Sequence, residues 1–370
     1  MSNIQDVSRH AGVSPSTVSN VLNGRVDRMK KETLDRVEAA IALLNFRPNT
    51  SARQLKTGHT PLIGLLVPSI ANPMYGFIAR EVETYAQERY GYRVLIGNTY
   101  RDPDKEAAFF SDLMAHGVRG VIIISSLVDE QHFESAGKRG MVIVSYDRRA
   151  TPNVASEIDH ITVNNFEAAR MATTHLIDSG HRRLAFATAS GMTMSRRDKI
   201  EGFLAAAQSA GSGVRAQVLD GGQLNEYGDS VMSESGRALA SRIAADRQRP
   251  TAILAVNDLM ALGLMSGFRD AGLTVPNDVS IVGMDGLFLS ALSNPALTTV
   301  QLPVNEMARA MVERVMTRLN DSTTEASEQV FSATLIRRES VAPLPSVPTI
   351  GSSKAVVEAM KQSNAGKISE

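Results

Sequence analysis

Residues 4–44 carry apolar positions at the spacing of three short amphipathic helices. In the segment 4–11 the apolar residues lie three and four positions apart, and Gly12 then offers the backbone freedom that a tight turn needs. Ser14 is placed to cap a second helix that begins at Pro15. The apolar positions are Val18, Val21 and Leu22 in this helix, and Leu34, Val37, Ile41 and Leu44 in a third. This order of helix, glycine turn and helix predicts a helix-turn-helix domain over residues 1–48.

From Pro61 onward, short apolar runs alternate with segments of helical periodicity. Runs of this kind are typical of central parallel strands, which are buried on both faces. The runs are LIGLLVP (62–68), YRVLIGN (92–98), GVIIISS (120–126), MVIVSYD (141–147), RLAFATA (183–189), AILAVND (252–258) and SIVGMD (280–285). The alternation predicts an α/β body of two doubly wound parallel-sheet lobes, which resembles a periplasmic binding protein.

The composition indicates a globular protein of the cytoplasm. The chain of 370 residues is too long for one ordinary core, has no cysteine, and shows neither an apolar run of membrane-spanning length nor a signal sequence. The formal net charge is +0, yet basic residues outnumber acidic ones in residues 1–60 and acidic residues outnumber basic ones in the remainder. A basic head on an acidic body favours a nucleic-acid contact at one end of the chain.

The second helix is the candidate for reading base pairs. Pro15, Ser16 and Asn20 project away from its apolar side, and Thr17 and Ser19 can donate to phosphates. The second helix of such a domain places its N-terminal side chains on base edges in the major groove. The predicted contacts are Ser14, Pro15, Ser16, Thr17, Ser19, Asn20 and Asn23. A three-helix bundle with an ordinary solvated face is the alternative on this pattern alone.

Two stretches resemble one family of bacterial transcription regulators, the lactose/galactose repressor (LacI/GalR) family. Residues 6–24, DVSRHAGVSPSTVSNVLNG, are similar to its DNA-binding helices, and residues 45–68, NFRPNTSARQLKTGHTPLIGLLVP, are similar to the junction that follows them. The resemblance implies a hinge helix over 49–56 that orders on operator DNA, with Leu55 as an apolar wedge in the minor groove. It adds Asn49, Ala52, Arg53 and Leu55 to the predicted DNA contacts, and it implies a homodimer on a pseudo-palindromic operator of double-stranded DNA.

The resemblance also divides the chain into domains. It implies a hinge and linker over 49–60 and an effector-binding and dimerisation domain over 61–341. Lobe 1 is expected to hold residues 61–161 and 293–322, and lobe 2 residues 162–292 and 323–341. Residues 342–370, which begin with a segment rich in proline and serine, are expected to form a disordered tail.

Polar side chains follow several of the predicted strands. Ligands of doubly wound sheets bind beyond the carboxyl ends of the strands, which is where Ser69, Asn72, Ser125, Asp147, Asn257, Asp258 and Asp285 stand. Carboxylates and amides that converge from two lobes suit a ligand rich in hydroxyl groups. Helix capping is the alternative for each of them, above all for Asp258, which precedes a helical segment.

The family resemblance extends this candidate effector site. Met74, Tyr75, Asp147, Asn257 and Asp285 match positions that contact effectors in related repressors. Lys199 stands where the family usually has an effector-binding arginine, and Arg197 precedes it by two positions. The predicted effector contacts are Met74, Tyr75, Ser125, Asp147, Arg197, Lys199, Asn257 and Asp285.

Basic residues near this site leave the charge of the effector open. Arg148, Arg149, Arg196, Arg197 and Lys199 are expected at the edges of the cleft, which would suit an anionic effector such as a sugar acid or a sugar phosphate. The alternative is that they form surface salt bridges with Glu157, Asp159, Asp198 and Glu201.

Sequence motifs of catalysis and of cofactor binding are missing. The sequence has no P-loop, G-x-G-x-x-G, G-x-S-x-G or H-E-x-x-H, so neither a cofactor nor a metal site is expected and the protein is predicted not to be an enzyme. The leading prediction is a DNA-binding transcription regulator, a repressor, under the control of a sugar or sugar derivative. The alternatives are a sugar-binding receptor without DNA activity, which the basic head opposes, and an α/β enzyme, which the missing motifs oppose.

Overall fold

The computed structural model describes residues 2–22, 24–27, 29–46, 60–124, 131–150, 157–190, 193–222 and 230–344. The predicted hinge helix therefore lies outside the described residues, as does the tail from residue 345. The chain divides into two compact units, of which the N-terminal one comprises Met1–Pro61 and the short segment His116–Val118. Across the described ranges, no helix is both long and apolar enough to cross a membrane.

The N-terminal unit contains the three predicted helices, which are α1 (Ile4–Ala11), α2 (Pro15–Leu22) and α3 (Lys31–Leu43). Gly12 ends α1 with a φ of 62°, a left-handed value that glycine adopts without strain. The Ser14 hydroxyl accepts a hydrogen bond of 3.2 Å from the Thr17 backbone N–H, which confirms its capping role. The core of this unit is built from Val7, Ala11, Val18, Val37, Ala40 and Phe46.

The second unit holds two six-stranded sheets in its described part. The first sheet belongs to lobe 1 and is parallel throughout. Its strands are β1 (Leu62–Val67), β2 (Arg93–Asn98), β3 (Gly120–Ile124), β4 (Val142–Tyr146), β5 (Asp159–Val163) and β11 (Glu328–Phe331). Their spatial order is β11-β5-β4-β3-β1-β2.

The second sheet belongs to lobe 2. Its strands are β6 (Arg183–Thr188), β7 (Arg215–Asp220), β8 (Ala252–Ala255), β9 (Ser280–Asp285), β10 (Thr298–Gln301) and β12 (Thr334–Ile336). They lie in the order β12-β10-β9-β8-β6-β7, and β12 is antiparallel to β10. The strand order of each sheet reverses at its first strand, β1 or β6, and such a reversal opens a crevice at the carboxyl ends of the strands.

Helices cover the sheets, as the alternation of the sequence predicts. Those of lobe 1 are α4 (Pro73–Tyr90), α5 (Pro103–Ala115), α6 (Gln131–Lys138) and α12 (Val304–Asn320). Those of lobe 2 are α7 (Asn165–Asp178), α8 (Met194–Ser209), α9 (Ser230–Ala245) and α10 (Asp258–Asp270). The short α11 (Phe288–Leu292) contacts both lobes, because Leu289 packs against the core of lobe 1 and Ser290 donates to Asp258 of lobe 2. The two lobes have separate hydrophobic cores, so each sheet is stabilised by its own set of buried side chains.

Two segments join the opposite lobe from the one that the sequence predicts. β10 comes from 293–322, which was assigned to lobe 1, yet Thr298 pairs with Val282 in lobe 2. β11 comes from 323–341, which was assigned to lobe 2, yet Glu328 pairs with His160 in lobe 1. Both strands have only four residues, and β11 is largely exposed, so their apolar pattern is too short to specify a sheet.

Two further expectations are wrong. Among the described strands β2 pairs with β1 alone, so it is an edge strand rather than a strand buried on both faces, and Leu95 and Ile96 are 41% and 45% exposed. The expected tail begins too early, since the backbone N–H of Leu344 donates to the Ser179 carbonyl at 2.8 Å. The Ala342 N–H likewise donates to the Ser280 hydroxyl at 3.0 Å, so the chain stays attached to lobe 2 through residue 344.

The backbone passes between the two lobes three times within the described residues. The passages lie between β5 and α7, between β10 and α12, and between β11 and β12. Neither lobe is therefore a continuous stretch of sequence, and the cleft between them is bounded by chain that belongs to both.

Candidate functional site

The polar face of α2 is exposed in the N-terminal unit. Ser14, Pro15, Ser16 and Asn20 are exposed, whereas Thr17 is half-buried. The Ser14 hydroxyl lies 2.7 Å from that of Ser16 and 2.9 Å from that of Thr17, so these groups form a local network at the start of the helix. The side chains at the beginning of α2 are thus available to a partner while its apolar side packs in the core.

Of the remaining predicted DNA contacts, the structure describes only Ser19. Ser19 is half-buried on α2. Asn23, Asn49, Ala52, Arg53 and Leu55 lie outside the described residues, and their DNA contacts stay predictions.

A group of polar side chains from both lobes meets in the second unit. Tyr75 stands in the first turn of α4 and Asp147 follows β4 in lobe 1, whereas Asp285 ends β9 and Lys199 lies on α8 in lobe 2. Burial raises the pKa of the Tyr75 hydroxyl, the charge of Arg101 opposes this rise, and Asp147 and Asp285 add to it. Since both carboxylates influence one hydroxyl group, Tyr75 and Asp147 of lobe 1 lie near Asp285 of lobe 2.

Asp285 supplies the carboxyl group of lobe 2 to this site. Burial raises its pKa well above the ordinary range, Lys199 opposes the rise, and the charges of Asp258 and Asp147 increase it. The Lys199 ammonium donates to the Val256 carbonyl at 3.2 Å, so it is held at the end of β8. The Asp285 backbone has a φ of 136°, which is rare for a residue with a side chain.

Two residues that the sequence did not identify orient this site. The Asn165 amide donates to the Asp147 carboxylate at 3.0 Å, and Arg101 donates to the Tyr75 hydroxyl at 3.1 Å. Asn165 follows β5, whose sequence DHITV was not recognised as a strand because two of its five residues are polar or charged at its start. Arg101 stands three positions after β2, and inspection of the residues beyond that strand could have found it.

At the start of α10, the helix is capped by Asn257 and not by Asp258, the residue that the sequence suggested. The Asn257 side chain caps this helix by accepting from the Met260 N–H at 2.9 Å, so its amide oxygen is occupied. Asp258, which the capping alternative favoured, is instead completely buried and accepts hydrogen bonds from Leu287 and Ser290. Asp258 therefore has a structural role, because its buried carboxylate holds these two residues in place.

The start of α4 shows a similar division of roles. The Asn72 side chain caps the helix through the Met74 N–H at 3.0 Å. Met74 is only 4% exposed and belongs to the core of lobe 1, whereas Tyr75 beside it is half-buried. Ser125 lies outside the described residues, and its effector contact stays a prediction.

The arginines on α8 have acceptors within the protein. Arg197 is exposed, and its guanidinium lies 3.8 Å from both Asp198 and Glu201. Arg196 is buried and donates to the backbone carbonyls of Ala189 and Ser190 at 2.7 and 3.0 Å. The salt-bridge alternative therefore describes Arg197, and Arg196 is a structural residue.

The two arginines that follow Asp147 are also engaged. Arg149 lies 3.5 Å from Glu328. Arg148 is buried, and this burial lowers its pKa to about 10, against the opposing charge of Glu106. Within the described ranges, no group of acidic and histidine side chains could hold a metal ion.

Comparison with known proteins agrees with this arrangement. Residues 3–49 match the model of bacterial regulatory proteins of the lacI family, and residues 173–341 match that of a periplasmic binding protein-like domain. Catabolite control protein A of Priestia megaterium is 32% identical over 326 residues, which cover 88% of this chain and 94% of that protein. The HTH-type transcriptional repressor PurR of Photobacterium profundum is 31% identical over 345 residues, 92% of this chain and 99% of that protein.

A solved structure agrees as well. The Lac repressor bound to ONPG in its repressed state has a TM-score of 0.78 and 26% identity, and the match covers 92% of this chain and 99% of that one. Since relatives more than 30% identical match the chain almost from end to end, and since residues 3–49 match the model of the lacI family, the chain belongs to the LacI/GalR family of bacterial transcription regulators.

Proposed function

We propose that this protein is a sequence-specific DNA-binding repressor whose activity is set by a small molecule rich in hydroxyl groups, a sugar or sugar derivative, bound between its two lobes. One observation carries this proposal. The chain that presents an exposed polar helix face in its N-terminal unit also brings Asp147 and Asp285 together with Tyr75 from opposite lobes.

The N-terminal unit supports the DNA-binding part. The exposed start of α2 offers Ser16 and Asn20, and an asparagine amide can pair with adenine through two hydrogen bonds. Residues 1–60 carry an excess of basic residues, which favours contact with phosphates. The name of the relative PurR, a transcriptional repressor, supports repression as the outcome.

The cleft between the lobes supports a neutral ligand rather than an anion. Two carboxylates face the site, and carboxylates accept hydrogen bonds from hydroxyl groups. Arg196 and Arg197 already have acceptors in the protein, and Lys199 donates to a backbone carbonyl. To bind an anion, Arg196 and Arg197 would have to give up these acceptors, whereas hydroxyl groups can donate directly to Asp147 and Asp285.

A ligand bound between the lobes can control DNA binding, because the three chain passages couple the arrangement of the two lobes. A ligand that contacts both lobes binds one lobe arrangement more tightly than another, and it can shift their populations only by that difference in affinity. We propose that this shift changes the separation of two heads in a homodimer, because paired half-sites require two heads at a fixed distance. Exposed apolar side chains of the body, among them Leu95 and Ile96 of β2 and Phe288 and Leu292 of α11, are candidates for the dimer contact.

The test uses the full-length protein in two steps. Sequencing of genomic fragments that the protein retains identifies its operator, and fluorescence anisotropy then measures operator affinity with and without neutral and anionic sugars. We expect a selected sequence with two similar half-sites and an affinity that a neutral sugar changes. Sugar binding without any sequence-selective DNA binding would instead favour the receptor-like alternative.

A further inference from the structure

Three leucines that are attached to elements of lobe 2 pack against the hydrophobic core of lobe 1. Leu287, which follows β9, is only 4% exposed and is a member of that core. Leu289 in α11 and Leu259 in the first turn of α10 are half-buried and pack against the same core. We call these three leucines the inter-lobe contact. It adds a noncovalent link to the covalent links that the three chain passages provide.

The main chain that carries Leu287 is held by lobe 2. The Leu287 N–H donates to the Asp258 carboxylate at 2.8 Å, and the Gly286 N–H donates to the Thr299 hydroxyl at 3.3 Å. The backbone of Leu287 is therefore fixed in one lobe while its side chain is buried in the other. A change in the angle between the lobes must either withdraw this leucine from the core, which exposes apolar surface to water, or move the segment that carries it.

Gly286 packs this segment closely against a chain passage. Its φ of 74° is a left-handed value, and a Cβ atom at this position would lie 2.7 Å from the Cα atom of Gln301. Gln301 is the last residue of β10, so it stands where the second passage between the lobes begins. Because the two backbones are in contact, the segment cannot shift without a displacement of the passage as well.

The same segment begins with a residue of the cleft. Asp285 directly precedes Gly286, and its φ of 136° is a backbone conformation that a residue with a side chain retains only where its surroundings hold it. The burial of Leu287 two positions later supplies such a restraint. A ligand that moves the main chain of Asp285 therefore acts on the inter-lobe contact through one intervening residue.

We propose that the inter-lobe contact holds the two lobes in one arrangement, and that Leu287 is a positioning residue that ties Asp285 to this arrangement. A ligand in the cleft and a change at the three leucines then shift the same equilibrium between lobe arrangements. The proposal rests on the proposed function only for the consequence that a new lobe arrangement alters DNA binding. The contact itself is a property of the body of the protein.

Single-molecule energy transfer measures the lobe arrangement in the full-length protein. The sequence has no cysteine, so S111C in α5 of lobe 1 and S241C in α9 of lobe 2 place both dyes at exposed sites. An excess of unlabelled protein ensures that no dimer carries two labelled chains. We expect one narrow peak of transfer efficiency without further substitutions. L287A and L289A should raise the population of other arrangements about tenfold or more, because each removes apolar surface that is buried in the observed arrangement.

G286A tests the link to Asp285 while all three leucines remain. Its Cβ atom must displace Gln301 or the segment itself, so the peak should broaden or shift as in L287A. The matched control is G76A, where the added Cβ atom meets open space and should leave the peak unchanged. L287M, which nearly conserves the volume of the side chain, should restore the narrow peak.

A further control separates the lobe arrangement from stability. L176A removes a completely buried leucine from the core of lobe 2, so it should lower the midpoint temperature of unfolding without a change in the peak. The proposal is overturned if L287A and L289A leave the peak unchanged, if G286A does so, or if L176A alters it as much as they do. Energy transfer is measured without DNA and without a sugar, so a failure of the proposed function is a separate result, namely the lack of selective DNA binding.

Discussion

The Asp258 carboxylate accepts a hydrogen bond of 2.5 Å from the Thr299 hydroxyl. The same carboxylate accepts from the Leu287 backbone N–H at 2.8 Å and from the Ser290 hydroxyl at 2.7 Å. It therefore ties the first turn of α10 to β10 and to α11. Leu287 itself packs into the core of lobe 1, so this buried acid of lobe 2 also positions a contact with the other lobe.

Replacement of Asp258 should destabilise the body strongly. D258A leaves three buried donors without an acceptor, so we expect the free energy of unfolding to fall by about 3 kcal/mol. Urea unfolding measures the loss. The control is D270A, which removes an exposed ion pair with Arg237 and should cost less than about 1 kcal/mol. Equal effects of the two variants would show that Asp258 is not an anchor.

Close packing of α9 on α10 depends on Gly263. A Cβ atom at this position would lie 2.0 Å from the Ser233 carbonyl oxygen, so G263A must push the helices apart and should destabilise the protein by about 1–3 kcal/mol. Gly76 in α4 has no heavy atom within 4 Å of the corresponding position. G76A should therefore stabilise the protein by about 0.5–1 kcal/mol, because alanine favours a helix over glycine. In thermal unfolding, we expect the midpoint temperature to fall in G263A and to rise in G76A relative to the wild type.

Asn20 should determine a base preference of the operator. N20A removes an exposed amide from α2 and should weaken binding to the selected operator by about 1–3 kcal/mol without a change in stability. N20R should move the preference at one position of each half-site from adenine to guanine. A39S, which alters an exposed residue of α3, is the control. Selection from a random DNA library reads the preference, and an unchanged operator in N20R would exclude this contact.

Effector binding should depend on pH through Asp285. The pKa of this acid is raised in the ligand-free protein, chiefly by burial, so it tends to hold its proton. Hydroxyl groups that donate to the carboxylate favour its ionised form, and binding therefore releases a proton. Affinity should rise with pH until Asp285 is ionised before binding, and then level off. Titration calorimetry in buffers of different ionisation enthalpy counts the released proton.

Two measurements complete this test. In D285N the pH dependence of effector affinity should disappear along with the proton release. The free energy of unfolding should show the opposite slope in the wild-type protein, since an acid with a raised folded-state pKa loses its stabilising contribution as pH rises from its ordinary pKa towards the raised one. An effector affinity that is the same at all pH values in the wild type would argue against direct contact with Asp285.

The long, periodic segments of the sequence predicted the structure well. Each of the three helices of the head was predicted from the spacing of its own apolar residues. One apolar residue of each helix, Val7, Val18 and Val37 in turn, is completely buried. The seven predicted apolar runs all contain strands, since continuous apolar stretches of this length have few other stable arrangements. β2 has the same composition but is exposed, because burial depends on the position of a strand in the sheet.

Short elements and interacting polar residues were harder to predict. β10 and β11 have four residues each, so no local pattern identifies the sheet that they join, and β11 pairs with β5, which lies far earlier in the chain. Asn257 and Asp258 are both suited to cap a helix, and only the tertiary position of Thr299 decides which of them becomes buried. In the same way, Asn165 becomes part of the cleft through its contact with Asp147, which lies 18 residues away.

The three passages of the backbone between the lobes also bear on how the molecule forms during synthesis. The first sheet needs β11, whose last residue is Phe331, and the second needs β12, which ends at Ile336. Both sheets therefore remain incomplete on the ribosome until more than 330 residues have been translated, because the last strands to be made are β11 and β12. A nascent chain of this protein should consequently depend on protection from aggregation for most of its elongation, although the small head can fold as soon as it emerges.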